Sequence, residues 1–98
     1  MWRHGDVFLA KISRVPEGAR QLPQCVLAEG ELTGHSHRIQ ESAAATLFEL
    51  EGERFLEVTA GQATLVHQEH AAISLERGTY RVWVQREYNP EEIRRVVD

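Results

Sequence analysis

Sulfur is scarce in this chain. One cysteine and one methionine occur in 98 residues, so no internal disulfide can form and the fold must be held by packing and hydrogen bonds. A lone Cys25 fits a reducing compartment, and the cytoplasm is the expected location. Long apolar runs are missing as well. Nothing approaches the ~20 residues of a membrane span, and the start "MWRHGDVFLAKIS" carries neither a long apolar core nor a small-residue cleavage site. Neither a secretion signal nor a membrane anchor is therefore expected. Excess positive charge is absent too. The formal charge is −4 with neutral histidines, which argues against broad attraction to a phosphate backbone. Lysine is nearly absent, since ten of the eleven basic residues are arginine, the better fork for carboxylate or phosphate. Repeats, linkers and low-complexity tracts are missing, so residues 1–98 read as a single β domain.

What remains is mostly β periodicity. "DVFLAKI" is apolar on both faces, as a central strand is, and lies between Gly5 and Pro16-Glu17-Gly18. "QCVLAEG" is a second short strand. "ATLFELEGERFLEV" reads as a hairpin turning at Glu51-Gly52. "QATLVH" follows a turn expected at Ala60-Gly61, with Ala63, Leu65 and His67 on one face. In "TYRVWVQRE", Tyr80, Val82 and Val84 alternate with Arg81, Trp83 and Gln85. The larger apolar set is expected inside, leaving Trp83 partly exposed. The start of "ESAAATLF" has helix-forming alanines and is compatible with one helical turn. Asn89-Pro90-Glu91-Glu92 resembles a helix start, but the branched "IRRVVD" favours a turn followed by a strand. The fold class expected is all-β, a small antiparallel barrel or sandwich of about seven or eight short strands.

Four of the five histidines fall into two tight pairs, His35 with His37 in "TGHSHR" and His67 with His70 in "LVHQEH". On a strand His35 and His37 share a face, about 7 Å apart along the backbone, and Ser36 points away. His67 closes a strand, and the two-residue gap to His70 suits a turn back towards the same point. Neutral imidazoles that converge are ligands for a divalent metal such as Zn²⁺, Ni²⁺, Mn²⁺ or Fe²⁺. Glu41 and Glu69 are the nearest carboxylates. If the site is an enzyme's, three histidines hold the metal, a water takes the open position, Glu41 or Glu69 is the general base, and Arg38 clamps an anion. Surface histidines in ordinary turns are the plain alternative. Cys25 sits mid-strand beside Val26 and Leu27 and reads as a small buried residue, not a nucleophile.

"GELTGHSHRIQE" resembles the first motif of the cupins, in which HxH followed by Glu binds a divalent metal; His35, His37 and Glu41 match that core. The second cupin motif puts a histidine just after "ERG", where this chain has Thr79-Tyr80-Arg81-Val82. Most of the chain resembles a set of small uncharacterised bacterial and phage-type proteins that share "HGDV", "TGHSHR", "H-x-EH" and "QREYNP" segments. That likeness implies no activity.

The leading expectation is a small metal-binding β protein, either an accessory protein or a metal-dependent enzyme. A second is a non-catalytic module that presents Arg81, Trp83, Gln85, Arg86 and Tyr88 to nucleic acid or a protein partner. A third is a homo-oligomeric subunit whose edge strands pair with copies of itself.

Overall fold

The computed structural model describes residues 1–29 and 34–85. They form eight strands: β1 (Trp2–His4), β2 (Val7–Ile12), β3 (Arg20–Gln21), β4 (Val26–Glu29), β5 (Ser36–Ile39), β6 (Ala45–Leu50), β7 (Glu53–Val66) and β8 (Ile73–Val84). Every pairing is antiparallel, in the order β1-β2-β8-β7-β5-β4, with β6 joining β7 to β3. The all-β expectation holds, and no helix occurs among the described residues. The ends of the order, β1 and β4, are not paired with each other among those residues, so hydrogen bonds do not close the sheet into a barrel.

Tight turns set the register at two hairpins. Leu50 pairs with Glu53, leaving Glu51 and Gly52 as a two-residue loop in which both φ angles are positive, 51° and 83°. That left-handed pair matches the twist of the flanking strands. His4 pairs with Val7 across Gly5-Asp6, and Gly5 takes φ 64°. The short strand β1 that this turn creates lies upstream of the segment the sequence pattern marks as a strand.

The expected turn at Ala60-Gly61 is instead an irregularity inside one long strand. β7 runs through it, and its register against β8 shifts between Val58 and Gln62. The inward positions explain why. Leu56 and Val58 are buried before the irregularity and Ala63 and Leu65 after it, while β8 buries Tyr80 and Val82 on one side and Leu75 on the other. Strict alternation would turn one of these sets outward, so both strands change phase there and keep a single core. The "ESAAATLF" segment makes a turn, with Ala44 N–H donating to Glu41 O at 2.9 Å, before β6 begins.

The core is one cluster that includes Val7, Leu9, Leu27, Ile39, Leu47, Leu56, Leu65, Leu75 and Tyr80. Each fully buried aliphatic side chain contributes roughly 1.5–3 kcal/mol relative to exposure. Tyr80 is buried without loss, because its hydroxyl donates to Glu76 O at 2.6 Å. Trp83 is half-buried on the opposite face, as its alternation predicts, and stacks on Phe8 with ring centroids 5.8 Å apart. The expected C-terminal turn and strand lie outside the described residues.

Candidate metal centre

Strand pairing brings the two histidine pairs together. In the ladder of β5 with β7, Arg38 faces Val66 and Ile39 faces Leu65. Continuing that register past the end of the ladder sets His37 opposite His67, Ser36 opposite Gln68 and His35 opposite Glu69. The contacts follow it. The rings of His37 and His67 have centroids 4.2 Å apart. Ser36 N–H donates to Gln68 Oε1 at 3.0 Å, and His35 Nδ1 lies 2.6 Å from Glu69 Oε2. The chain then turns, which returns His70 to 4.7 Å from His67 and 5.7 Å from His37 between centroids. His37, His67 and His70 each offer a nitrogen, and the three lie within 4.8 Å of one another. His35 sits beside this trio, with its ring 5.6 Å from that of His67.

The fifth histidine belongs to the same cluster, which the pair-based reading missed. His4, at the end of β1, is 2 % exposed, and its ring lies 5.0 Å from that of His37, 6.3 Å from His67 and 5.8 Å from His70. The available signal was its neighbour. A glycine directly after a histidine, ahead of a clear strand, marks a backbone that must come close to something. Gly5 does so: a Cβ there would fall 2.7 Å from His70 Nε2 and 3.1 Å from His37 Cε1. Its φ of 64° also disfavours any larger residue.

Hydrogen-bond accounting fixes where the protons sit. Ala71 O can only accept, and it lies 2.9 Å from His4 Nε2, so that nitrogen carries the proton. In neutral His4, Nδ1 then accepts, and the donor 2.9 Å away is His37 Nδ1–H. Neutral His37 is left with a bare lone pair on Nε2. Burial enforces the neutral forms. It lowers the pKa of His4, opposed by the hydrogen bond to Ala71 and assisted by the neighbouring His70 and His67. It lowers that of His37 to about 4, assisted by His67 and His4 and opposed by Asp6. His67 is lowered too, by desolvation first and then by His70 and His35. His67 Nδ1 accepts from Glu69 N–H at 3.0 Å, so its proton sits on Nε2. Capture of a metal by His67 requires breaking that one bond, in an exposed turn.

The cluster opens into a cleft of about 410 Å³, lined by Asp6, Glu69 and Arg3 as well as by His35, His37, His67 and His70. The three imidazole nitrogens, at the edge of this cleft and beside its carboxylates, lie at a spacing that could hold a metal ion.

Other residues singled out in the sequence lie elsewhere. The Glu41 carboxylate accepts from Thr64 N–H at 2.8 Å and Thr64 Oγ1–H at 2.7 Å, which holds its pKa below the usual range, and it does not line the cleft. Glu41 thus ties the turn before β6 to β7, while Glu69 sits at the cleft. Arg38 is exposed and borders a second depression of about 340 Å³, together with Cys25. Cys25 donates to Ala45 O at 3.1 Å, and desolvation pushes its thiol up, away from thiolate chemistry. Arg81 pairs with Glu53 at 2.8 Å and lies over the Trp83 ring. Arg86 and Tyr88 lie outside the described residues.

The model of a family described as "Domain of unknown function (DUF8820)" matches residues 3–85, a span that holds all five histidines, Gly5 and Asp6. Comparison with curated proteins and with solved structures finds no significant match.

Proposed function

The chain belongs to that family of unknown function, and from the chemistry of its cleft we propose that it binds one divalent transition-metal ion through His37, His67 and His70. The observation that carries this reading is the convergence of three ligating nitrogens within 4.8 Å. It is supported by the bare lone pair that the His4 contact leaves on His37 Nε2. A metal-bound histidine typically gives its other N–H to a fixed acceptor, which orients the ring. His37 already does this towards His4. Three nitrogen donors favour Zn²⁺, Ni²⁺ or Fe²⁺ over Mn²⁺, which prefers oxygen. The role is that of an accessory metal-binding protein. A water-activating enzyme needs an open coordination position as well, and there Glu69, paired with His35, would serve as the base. The test is metal analysis of protein purified without a polyhistidine tag, followed by calorimetric titration with Zn²⁺. Near-stoichiometric uptake that is lost in His37→Ala supports the reading; no uptake by the wild type removes it.

A second reading rests on a different face. Arg3 lies 5.3 Å from the Phe8 ring centre, Phe8 stacks on Trp83, and Arg81 lies 5.5 Å from Trp83. Alternating cations and rings of this kind suit single-stranded nucleic acid. Retention on immobilised oligonucleotide that falls with salt and is lost in Trp83→Ala supports this reading; flow-through of the wild type at low salt overturns it.

A further inference from the structure

We propose that Asp6 is the fourth protein ligand, so that the ion in this cleft is held by three histidines and one carboxylate with no position left for water. The inference rests on the metal-binding reading above and goes beyond the histidine trio.

The first observation is a mismatch of hydrogen-bonding roles. Asp6 Oδ1 lies 3.3 Å from His37 Nε2. The chain of contacts from Ala71 O through His4 places the His37 proton on Nδ1. Two electron pairs, one on nitrogen and one on a carboxylate, therefore face each other across 3.3 Å. A cation held between the two atoms would satisfy both electron pairs.

The second observation is the distance itself. For metal–nitrogen and metal–oxygen bonds of ~2.0–2.2 Å, adjacent corners of a tetrahedron are about 3.3–3.5 Å apart. The His37–Asp6 separation is the length of such an edge. It is longer than the ~2.7–2.9 Å of a charge-assisted hydrogen bond.

The third observation is placement. His4 and Asp6 flank Gly5, whose missing side chain lets the turn lie against His70 and His37. One turn thus supplies the residue that fixes the His37 proton on one nitrogen and the acid that faces the other. Asp6 also lines the cleft with His67 and His70, although its carboxylate stands outside the 4.8 Å grouping of the three histidines and would have to turn inward to complete the set. Its side chain is 48 % exposed, whereas that of His37 is 6 % exposed, so solvent reaches the carboxylate more easily than it reaches His37. With its four positions filled by protein, the ion would have no open position to activate water, and the site would serve metal holding.

The experiment compares wild type, Asp6→Ala and Asp6→Asn in the full chain, with Co²⁺ and Zn²⁺ as the probes. Wild-type protein with Co²⁺ should show the intense visible absorption of a tetrahedral ion. In both variants that absorption should weaken as water enters the coordination shell, and Zn²⁺ affinity should drop by roughly 10- to 100-fold or more. Asp6→Asn keeps the shape of the turn, and circular dichroism of each variant separates a lost ligand from a lost fold. Wild-type protein that binds Co²⁺ with the same affinity and spectrum as a folded Asp6→Asn or Asp6→Ala variant overturns the assignment of Asp6 and leaves the histidine trio standing. Wild-type protein that takes up neither ion overturns the metal reading itself.

Discussion

His4 Nδ1 and His37 Nδ1 lie 2.9 Å apart inside the protein, although 33 positions separate them in the chain. One nitrogen must donate and the other accept, and the carbonyl of Ala71 decides which. Replacing His4 by Ala leaves the buried His37 N–H without its acceptor, at a cost of about 1–3 kcal/mol. It also frees the His37 ring to turn, which should weaken Zn²⁺ binding roughly 10- to 100-fold. Urea unfolding in the presence of a chelator measures the first effect and Zn²⁺ titration the second.

Metal-free protein should lose stability as pH falls from about 6.5 to 4. An unfolded His37 takes up its proton near 6.5, whereas the folded one resists until about 4, because burial and neighbouring imidazoles oppose its charge. In that window the unfolded chain binds more protons, so lower pH favours unfolding. The loss from His37 alone is on the order of 3 kcal/mol by pH 4, and His4 acts in the same direction. Above 6.5 neither group contributes a slope. Chemical denaturation with a chelator at a series of pH values checks this, and His37→Gln should flatten the curve.

Gly5→Ala places a Cβ 2.7 Å from His70 Nε2 in a backbone with φ 64°. Strain at such a φ costs about 1–2 kcal/mol, and His70 must move. Lower melting temperature together with weaker Zn²⁺ binding is the expected pair of outcomes, read by thermal melts and titration. A variant that melts and binds like wild type would show that the turn does not seat the ring.

His37→Ala and His67→Ala should each remove most Zn²⁺ binding, and the double variant should add little, because ligands of one ion act as a unit. Saturating Zn²⁺ should raise the wild-type melting temperature by mass action and leave the variants unmoved.

Much of the fold was legible in local pattern. The Glu51-Gly52 hairpin and the inward set of Tyr80 and Val82 follow from alternation and turn chemistry. The continuity of β7 was not, because an irregularity that shifts phase looks in sequence like a break between two strands. At the site, the two histidine pairs announced themselves by spacing. His4 did not, because the β1–β2 turn brings it to His37 on β5 and to Ala71 after β7 across long stretches of chain, and the only local hint was the glycine that follows it. Glu41 misled for the opposite reason. Its spacing from His37 matched a metal motif, yet Thr64 offered its carboxylate two nearby donors.

The Gly5-Asp6 turn gives the absence of disulfides a different meaning. A metal shared by Asp6 and His70 would be a cross-link, tying the first hairpin to the connection between β7 and β8. Closing a loop of that length removes denatured-state entropy equivalent to about 4 kcal/mol on the scale used for disulfides. Unlike a disulfide, this clasp survives in a reducing environment and opens when the ion is withdrawn. The edge strand β1 should then be the first backbone to fray, with its amides exchanging faster in chelator while those of the β7–β8 hairpin stay protected.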